Sequence, residues 1–384
     1  MRNIGLFNDS YPPIIDGVAI TVQNYAKWMH QQGRDVCVVT PKAPDYTDTD
    51  PFPVYRYPSI PLISRKPYRL GLPDIDIALQ TKLEKIPFSL VHAHCPFTSG
   101  LLALKIAKER KIPLVATFHT KYRDNFEQAL HSKKLVDLMV KELVYFYNQA
   151  DEVWIPQESV EDTLRDYGYK GKLVVMNNGT DFCTDQQPDI LKKTARNKLG
   201  IADDEMVLLY VGQLVWEKNL RLIIDALSKS RNIKFKMIFV GTGYAENELK
   251  LLAENLQLSS FIVFPGLISD RQVLKDYYAA ADLFLFPSLY DTWALVVREA
   301  AALYTPSLML KKSIASTAIT DNVNGFLIDE DPDLLASKLY DLSQNRQLLR
   351  TTGVNAALSL TKSWEDIVSE VLDRYDYLIK KHLK

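Results

Sequence analysis

Asp291 and Glu299 stand eight residues apart in the stretch Ser288–Ala302, SLYDTWALVVREAAA. The apolar run before them, Ala281–Pro287, reads as a buried parallel strand that Pro287 and Ser288 end. Thr292 suits the cap of a helix running through Leu303, apolar on nearly every face and therefore buried. Glu299 lies inside that helix, where a carboxylate needs a partner or a ligand because an unpaired buried charge is very costly. The amides of Trp293, Ala294 and Leu295 would open the helix as an anion site. Two acids around an anion pocket suit a phosphate-bearing ligand with hydroxyl groups, such as a sugar nucleotide. The same residues also fit a core helix in which Glu299 pairs with a distant Lys or Arg.

Other candidates fall where strands end. Lys218, in Val215-Trp216-Glu217-Lys218-Asn219, could neutralise a diphosphate near a helix start, after the strand that ends in Tyr210-Val211-Gly212-Gln213. Val240-Gly241-Thr242-Gly243 and Phe264-Pro265-Gly266-Leu267-Ile268 form two further strand-end loops, the second able to offer backbone atoms to a flat base. Gly17 follows the first strand and would let the backbone approach a phosphate, although a simple turn explains it as well. This loop has no G-x-G-x-x-G, which argues against a nicotinamide or flavin enzyme. His92 and His94 alternate on one strand and face the same side, but no acidic or Cys partner stands at metal-ligand spacing. His119, in TFHTKY, ends a strand and is the best placed of the six histidines for an active site. A histidine satisfied by nearby backbone is the plainer alternative.

These residues need a scaffold of alternating strands and helices, and the chain provides it twice. Strand-like runs at Asn3–Phe7, Asp35–Thr40, Val54–Tyr57, Ser89–His92, Leu114–Phe118, Glu152–Ile155 and Leu173–Met176 alternate with helical segments, the longest from about Phe126 to Asn148. After a polar linker from Asn177, the pattern restarts with Met206–Val211, Lys236–Val240, Phe261–Phe264, Leu283–Phe286, Ser307–Leu310 and Phe326–Ile328. Near-continuous apolar strands separated by helices predict an α/β chain with two Rossmann-like doubly wound domains facing a cleft. The boundaries are 1–180, 181–362 and an amphipathic helix over 363–384 capped at Ser363.

Composition sets outer limits. A length of 384 residues suggests two domains, with hydrophobic content of 47% and charged content of 24% ordinary for a globular chain. A net charge of −1 gives no global field toward nucleic acid. Cys37, Cys95 and Cys183 form neither a metal framework nor a disulfide scaffold and fit a reducing cytoplasm. The N-terminus enters a strand without a signal-peptide h-region, and no apolar run reaches transmembrane length, so a cytoplasmic protein is expected. Between Lys105 and Glu142, nine basic residues face five acidic ones, and Arg65, Lys66 and Arg69 add cations nearby. That excess suits peripheral contact with an anionic membrane, while a solvated helix face with pairs such as Lys105–Glu109 also accounts for it.

The ordered motifs DGVAIT, HAHCPFTSG, TFHT, NNGTDF, VGQLVWEKNL, VGTG, FPGLIS, FPSLYDTWALVVREAAA and DNVNGFLI resemble glycosyltransferase family 4 across nearly the whole chain. The stretch His92–Tyr122 is most similar to the branch that glucosylates diacylglycerol. The resemblance implies the GT-B fold, a C-terminal helix that crosses back onto the first domain, and retaining transfer of a hexose from a nucleotide-sugar, with a UDP-sugar favoured. It implies a hydroxyl acceptor on a lipid or glycan, no cofactor and no metal. By the same resemblance, Asp291 contacts donor-sugar hydroxyls, Glu299 holds the ribose, Lys218 binds the diphosphate, His119 lies near the donor sugar and Gly17 belongs to the N-terminal glycine loop. The implied donor site further takes in Gln213, Ile268, Ala294 and Leu295, with His119, Asp291 and Lys218 as its catalytic set.

Four positions depart from the family pattern. Gln213 replaces an Arg, Asp291 a Glu, Ala294 a Gly and Tyr304 a Gly. They keep open a non-catalytic relative that binds a nucleotide-sugar or a partner enzyme. An epimerase on the same fold would need paired acid/base carboxylates in the first domain, which the sequence does not offer.

Overall fold

In the first sheet, β1 (Asn3–Phe7) is an interior strand and the chain builds outward from it in both directions. The computed structural model describes residues 3–62, 67–119, 121–130, 132–289, 291 and 294–383. They divide into two units, Met1–Asn178 with Trp364–Lys384, and Gly179–Ser363.

In the first unit β1 leads to α1 (Gly17–Gln31), β2 (Asp35–Pro41) and β3 (Val54–Tyr57). A short antiparallel pair, β4 (Ser59–Pro61) and β5 (Arg69–Gly71), precedes α2 (Ile77–Glu84). Then come β6 (Phe88–Ala93), α3 (Thr98–Arg110), β7 (Leu114–Thr117), α4 (Tyr122–Ala129), α5 (Lys133–Tyr147), β8 (Glu152–Ile155), α6 (Val160–Asp166) and β9 (Leu173–Val175). Among the described residues, seven strands pair in the order β3-β2-β1-β6-β7-β8-β9, with every pair parallel. Strands such as FSLVHA and LVAT are buried at nearly every position and mostly apolar, because helices cover both faces of a parallel sheet.

The second unit runs α7 (Pro188–Leu199), β10 (Met206–Val211), α8 (Leu220–Ser228), β11 (Phe235–Val240), α9 (Glu246–Asn255), β12 (Ile262–Gly266) and α10 (Arg271–Ala280). It continues with β13 (Leu283–Phe286), α11 (Leu295–Ala302), β14 (Ser307–Leu310), β15 (Phe326–Ile328), α12 (Pro332–Gln344) and α13 (Arg346–Leu360). Its strands are also all parallel, in the order β12-β11-β10-β13-β14-β15. The last helix, α14 (Trp364–His382), returns to the first unit. There it buries Trp364 edge-on to Tyr25 of α1, and Arg34 meets Asp376 at 3.0 Å.

Local chemistry moved three expected boundaries. The long helix expected from Phe126 is two, because Leu130 is extended and closes α4. The helix after β13 starts at Leu295 with Ala294 as its cap, while Thr292 and Trp293 lie outside the described residues. The strand expected at Phe261 begins at Ile262 and continues to Gly266. The β4–β5 pair had no counterpart in the sequence reading, since three-residue strands are too short to show a period.

Candidate functional site

In the second unit the sheet order reverses direction between β10 and β13. The chain leaves β10 toward β11 and β12 on one side, and β13 toward β14 and β15 on the other. Loops that diverge at such a point leave a crevice beyond the carboxyl ends of the strands. Lys218, on a 3₁₀ turn after β10, and Asp291, after β13, meet there. Lys218 Nζ donates to Asp291 Oδ1 at 2.7 Å and to Oδ2 at 2.8 Å. Their side chains are only 15% and 20% exposed, so the pair is shielded from bulk water. Beneath them the Tyr210 phenol is held well above its ordinary value by burial and by the Asp291 charge.

Close backbone packing shapes this end of the sheet. Gly241 has φ +133°, and a Cβ there would stand 1.9 Å from the Gly212 carbonyl, so only glycine lets these two loops touch. Gly212 N donates to Val240 O at 3.0 Å and Leu214 N to Thr242 O at 2.9 Å. Tyr210 Oη donates to the Gln213 carbonyl at 3.0 Å, leaving the Gln213 side chain exposed. Trp216 N bonds the Tyr244 hydroxyl at 3.2 Å, and Tyr244 in turn donates to Glu217. The segment carrying Lys218 is thus tied to the next strand-end loop.

The helix α11 supplies the second acid. Ala294 and Leu295, at its start, are buried, and Glu299 is 5% exposed one turn further in. Both carboxylate oxygens of Glu299 are engaged: Arg271 Nη2 donates to Oε1 at 2.8 Å and the Tyr278 hydroxyl to Oε2 at 2.8 Å. Arg271 also bonds the Asp181 carboxylate and lies over the Phe182 ring at 4.1 Å. The distant cation that a buried Glu299 calls for is therefore Arg271. A carboxylate accepts about four hydrogen bonds, so this pairing leaves acceptor capacity for ligand hydroxyls. Ile268, half-buried on the segment between β12 and α10, packs against the core of the unit. Sequence reading missed Arg271, Tyr278 and Asp181; the available signal was the seven-residue spacing that puts Arg271 and Tyr278 on one face of α10.

The first unit places its candidates at the ends of β6 and β7. His94 Nδ1 and His119 Nε2 are 3.1 Å apart, and their rings stack at a centroid distance of 5.3 Å. His92 stacks on His94 at 3.9 Å and bonds Thr117 Oγ1 at 2.7 Å through Nε2, with Tyr375 of α14 at Nδ1. Burial, and for His92 and His94 the neighbouring imidazoles, push all three below the ordinary histidine value, His119 to about 3. At neutral pH these rings are uncharged, so His119 can exchange hydrogen bonds but carries no positive charge. Among the described residues, no group of three or more His, Cys, Asp or Glu is placed to hold a metal ion.

Gly17 is the first residue of α1, whose cap is Asp16: its carboxylate accepts from Val18 N at 2.9 Å and Ala19 N at 2.7 Å. Asp9, which sequence reading passed over, does related work for α3. It accepts from Thr98 Oγ1 at 2.6 Å, Ser99 N at 3.0 Å and Cys95 Sγ at 3.0 Å. The start of α3 is thereby closed by the chain's own carboxylate.

The basic segment also takes shape. α5 buries Val136, Val140 and Leu143 and exposes Leu135, Leu138 and Tyr145 beside Lys134 and Lys141. Lys105 lies 4.0 Å from Asp74 rather than against Glu109. Arg65 and Lys66 lie outside the described residues. Among the described residues, no helix is long and apolar enough to cross a membrane.

Comparison with known proteins covers both units. Residues 15–182 match the family model described as Glycosyltransferase Family 4, and residues 192–358 the model described as Glycosyl transferases group 1. The alpha-monoglucosyldiacylglycerol synthase of Streptococcus pneumoniae is 31% identical over 345 residues, covering 88% of this chain and 78% of the relative. The synthase of the same name from Acholeplasma laidlawii is 27% identical over 98% of this chain and 99% of the relative. Among solved structures, the Anabaena protein HepE in complex with UDP and glucose superposes with a TM-score of 0.76 at 20% identity, over 98% of this chain and 99% of that one.

Proposed function

The chain belongs to glycosyltransferase family 4, and from that premise we propose that it moves a hexose from a nucleoside diphosphate sugar to a lipid hydroxyl with retention of configuration. The observation that carries this reading is the meeting of Lys218 and Asp291 at the switch point of the second sheet. A cation and an acid share one shielded crevice there, beside the start of α11. Lys218 and the amides at Ala294 and Leu295 receive the charge that develops on the departing diphosphate, with no metal in the step. Asp291 takes hydroxyls of the transferred sugar and Glu299 those of the ribose. The bond between the sugar's anomeric carbon and the phosphate oxygen breaks, the acceptor oxygen bonds to the same face, and the acceptor's proton passes to the departing phosphate. A UDP-sugar is the favoured donor, supported by the UDP and glucose complex of HepE.

The acceptor reading is a diacylglycerol-type lipid at an anionic membrane surface. Its support is the activity named for the two synthases, together with α5. The exposed Leu135, Leu138 and Tyr145 offer apolar anchorage, and Lys134 and Lys141 each add about 1 kcal/mol of attraction close to anionic lipid.

Purified protein incubated with UDP-glucose and with other nucleotide-sugars, in vesicles containing diacylglycerol and anionic lipid, tests both halves. Product formed in the presence of EDTA is expected, with an α-linkage by NMR. Nucleotide-sugar binding without turnover would instead identify a non-catalytic relative. Activity abolished by EDTA and restored by Mg²⁺ would overturn the metal-free step.

A further inference from the structure

One helix supports Glu299 at both of its oxygens. α10 presents Arg271 in its first turn and Tyr278 seven residues later on the same face. The two donors, each at 2.8 Å, take one carboxylate oxygen apiece and so fix the rotation of the carboxylate plane. Arg271 is itself held from two further sides, by the Asp181 carboxylate and by the Phe182 ring. The Glu299 side chain is 7% exposed, against 38% for Arg271, so the acid lies deep and its support reaches toward solvent. A buried carboxylate deprived of its cation takes up a proton or swings toward water. Either change spoils the directions of its remaining acceptor positions.

We propose that Arg271 and Tyr278 are positioning residues that aim Glu299 at the ribose hydroxyls of the donor nucleotide and so set a preference for ribonucleotides over 2′-deoxyribonucleotides. This rests on the reading of Glu299 as the ribose-holding acid. A site built around a hydroxyl rejects the analogue lacking it, because a buried acceptor is then left unpaired. Tyr278 contributes direction and Arg271 both direction and charge.

The test is calorimetric. UDP, GDP and ADP are titrated into the full-length protein, and the tightest binder is compared with its 2′-deoxy counterpart. Wild type is expected to favour the ribonucleotide by about tenfold or more. In Arg271→Gln and in the near-isosteric Tyr278→Phe, that ratio falls to about threefold or less while the 2′-deoxy nucleotide binds nearly as before. Arg271→Lys, which keeps the charge and loses the planar fork, lies between. A wild-type ratio near one, or no binding of any of the three nucleotides, overturns the ribose reading and the proposal with it. A clear wild-type preference that both variants retain overturns the positioning role alone. Equal weakening of ribo- and deoxyribonucleotide, with a lowered Tm, assigns the two residues to stability and likewise rejects the proposal.

Discussion

At the carboxyl ends of the first sheet, His92, His94 and His119 stack on one another as uncharged rings, joined by hydrogen bonds to each other, to Thr117 and to Tyr375. At the corresponding ends of the second sheet, opposite charges are paired: Lys218 with Asp291, and Arg271 with Glu299 and Asp181. Both arrangements put polar groups in a shielded place, and in the first the buried His94 Nε2 has no hydrogen-bond partner among the described residues. They differ in what a ligand must displace. A neutral cluster keeps its form when a hydroxyl-bearing molecule arrives, because no charge has to be given up. A salt bridge is a competition already under way, and an incoming diphosphate enters it as a third party for the cation. By charge alone, the second region suits an anionic ligand and the first an uncharged one.

Acid separates the two regions most strongly. A histidine depressed by burial binds fewer protons folded than unfolded between its two values. Its stabilising contribution is complete above the ordinary value of about 6.5 and is lost as pH falls below it, at up to about 1.4 kcal/mol per pH unit for each ring. Three such rings belong to the first unit. Asp16 acts in the opposite sense, since burial raises its carboxyl, but it is one group against three. In the second unit, Asp282 is held below the ordinary carboxylate value by Lys192 and Arg196 despite its burial, so its contribution persists until pH falls toward about 3.8. Hydrogen exchange at about pH 7.5 and about pH 5, corrected for intrinsic rates, is expected to show protection lost in peptides from the first unit and kept in the second. Equal loss in both would erase the contrast.

Within the charged crevice, Asp291→Asn should pull apart two functions that the salt bridge joins. Lys218 now divides its protons between two carboxylate oxygens, and the neutral amide cannot hold it as strongly. Nucleoside diphosphate binding should tighten by about threefold to tenfold, equivalent to roughly 0.7–1.4 kcal/mol, while sugar transfer falls. Calorimetry with UDP beside a transfer assay reads both. Weaker or unchanged UDP binding would mean that the pair does not stand in the donor's way.

Much of this was legible in the sequence, and the residues show why. Met206–Val211, Leu283–Phe286 and Ser307–Leu310 are strands at the expected residues, because a strand buried on both faces is apolar at nearly every position. Lys218 and Asp291 were singled out because each follows such a strand, and Glu299 because it lies inside an apolar helix. Their partners were not, because a contact between residues 73 apart, such as Lys218 with Asp291, follows from strand order and leaves no local pattern. Arg271 and Asp181 were hidden for the same reason, being 90 residues apart. Tyr304 gains a physical meaning only from the backbone: with φ +62° it holds the left-handed conformation that explains a family glycine there, at a cost of about 1–2 kcal/mol for a side chain. Ala294, by contrast, has φ −94° and requires no glycine. The four departures from the family pattern thus differ in kind, since of Tyr304 and Ala294 only Tyr304 carries backbone strain.

The smallest expected effect belongs to Gln213, and it tests whether the charged region still has the shape its relatives would give it. Gln213 follows β10 at the same switch point as Lys218, and its side chain is exposed. Its backbone is held independently of that side chain, by the Tyr210 hydroxyl on its carbonyl and by the neighbouring bonds of Gly212 to the end of β11 and of Leu214 to the loop after it. Gln213→Arg therefore changes the charge in the crevice without disturbing the loop, and Tm should stay unchanged. A second cation beside Lys218 would give a diphosphate another charge-assisted hydrogen bond. Part of its benefit is spent on attraction to Asp291 in the empty site, so the net gain should be about 0.5–1 kcal/mol, or roughly twofold to fivefold in Kd for UDP. The gain should also shrink in high salt, as expected for a partly exposed charge. In the double variant with Asp291→Asn, where that competing carboxylate is gone, the added Arg should contribute more than it does alone. Purely additive effects would show that residues 213 and 291 do not act on the same phosphate group, and that the charged crevice has been arranged for a different ligand.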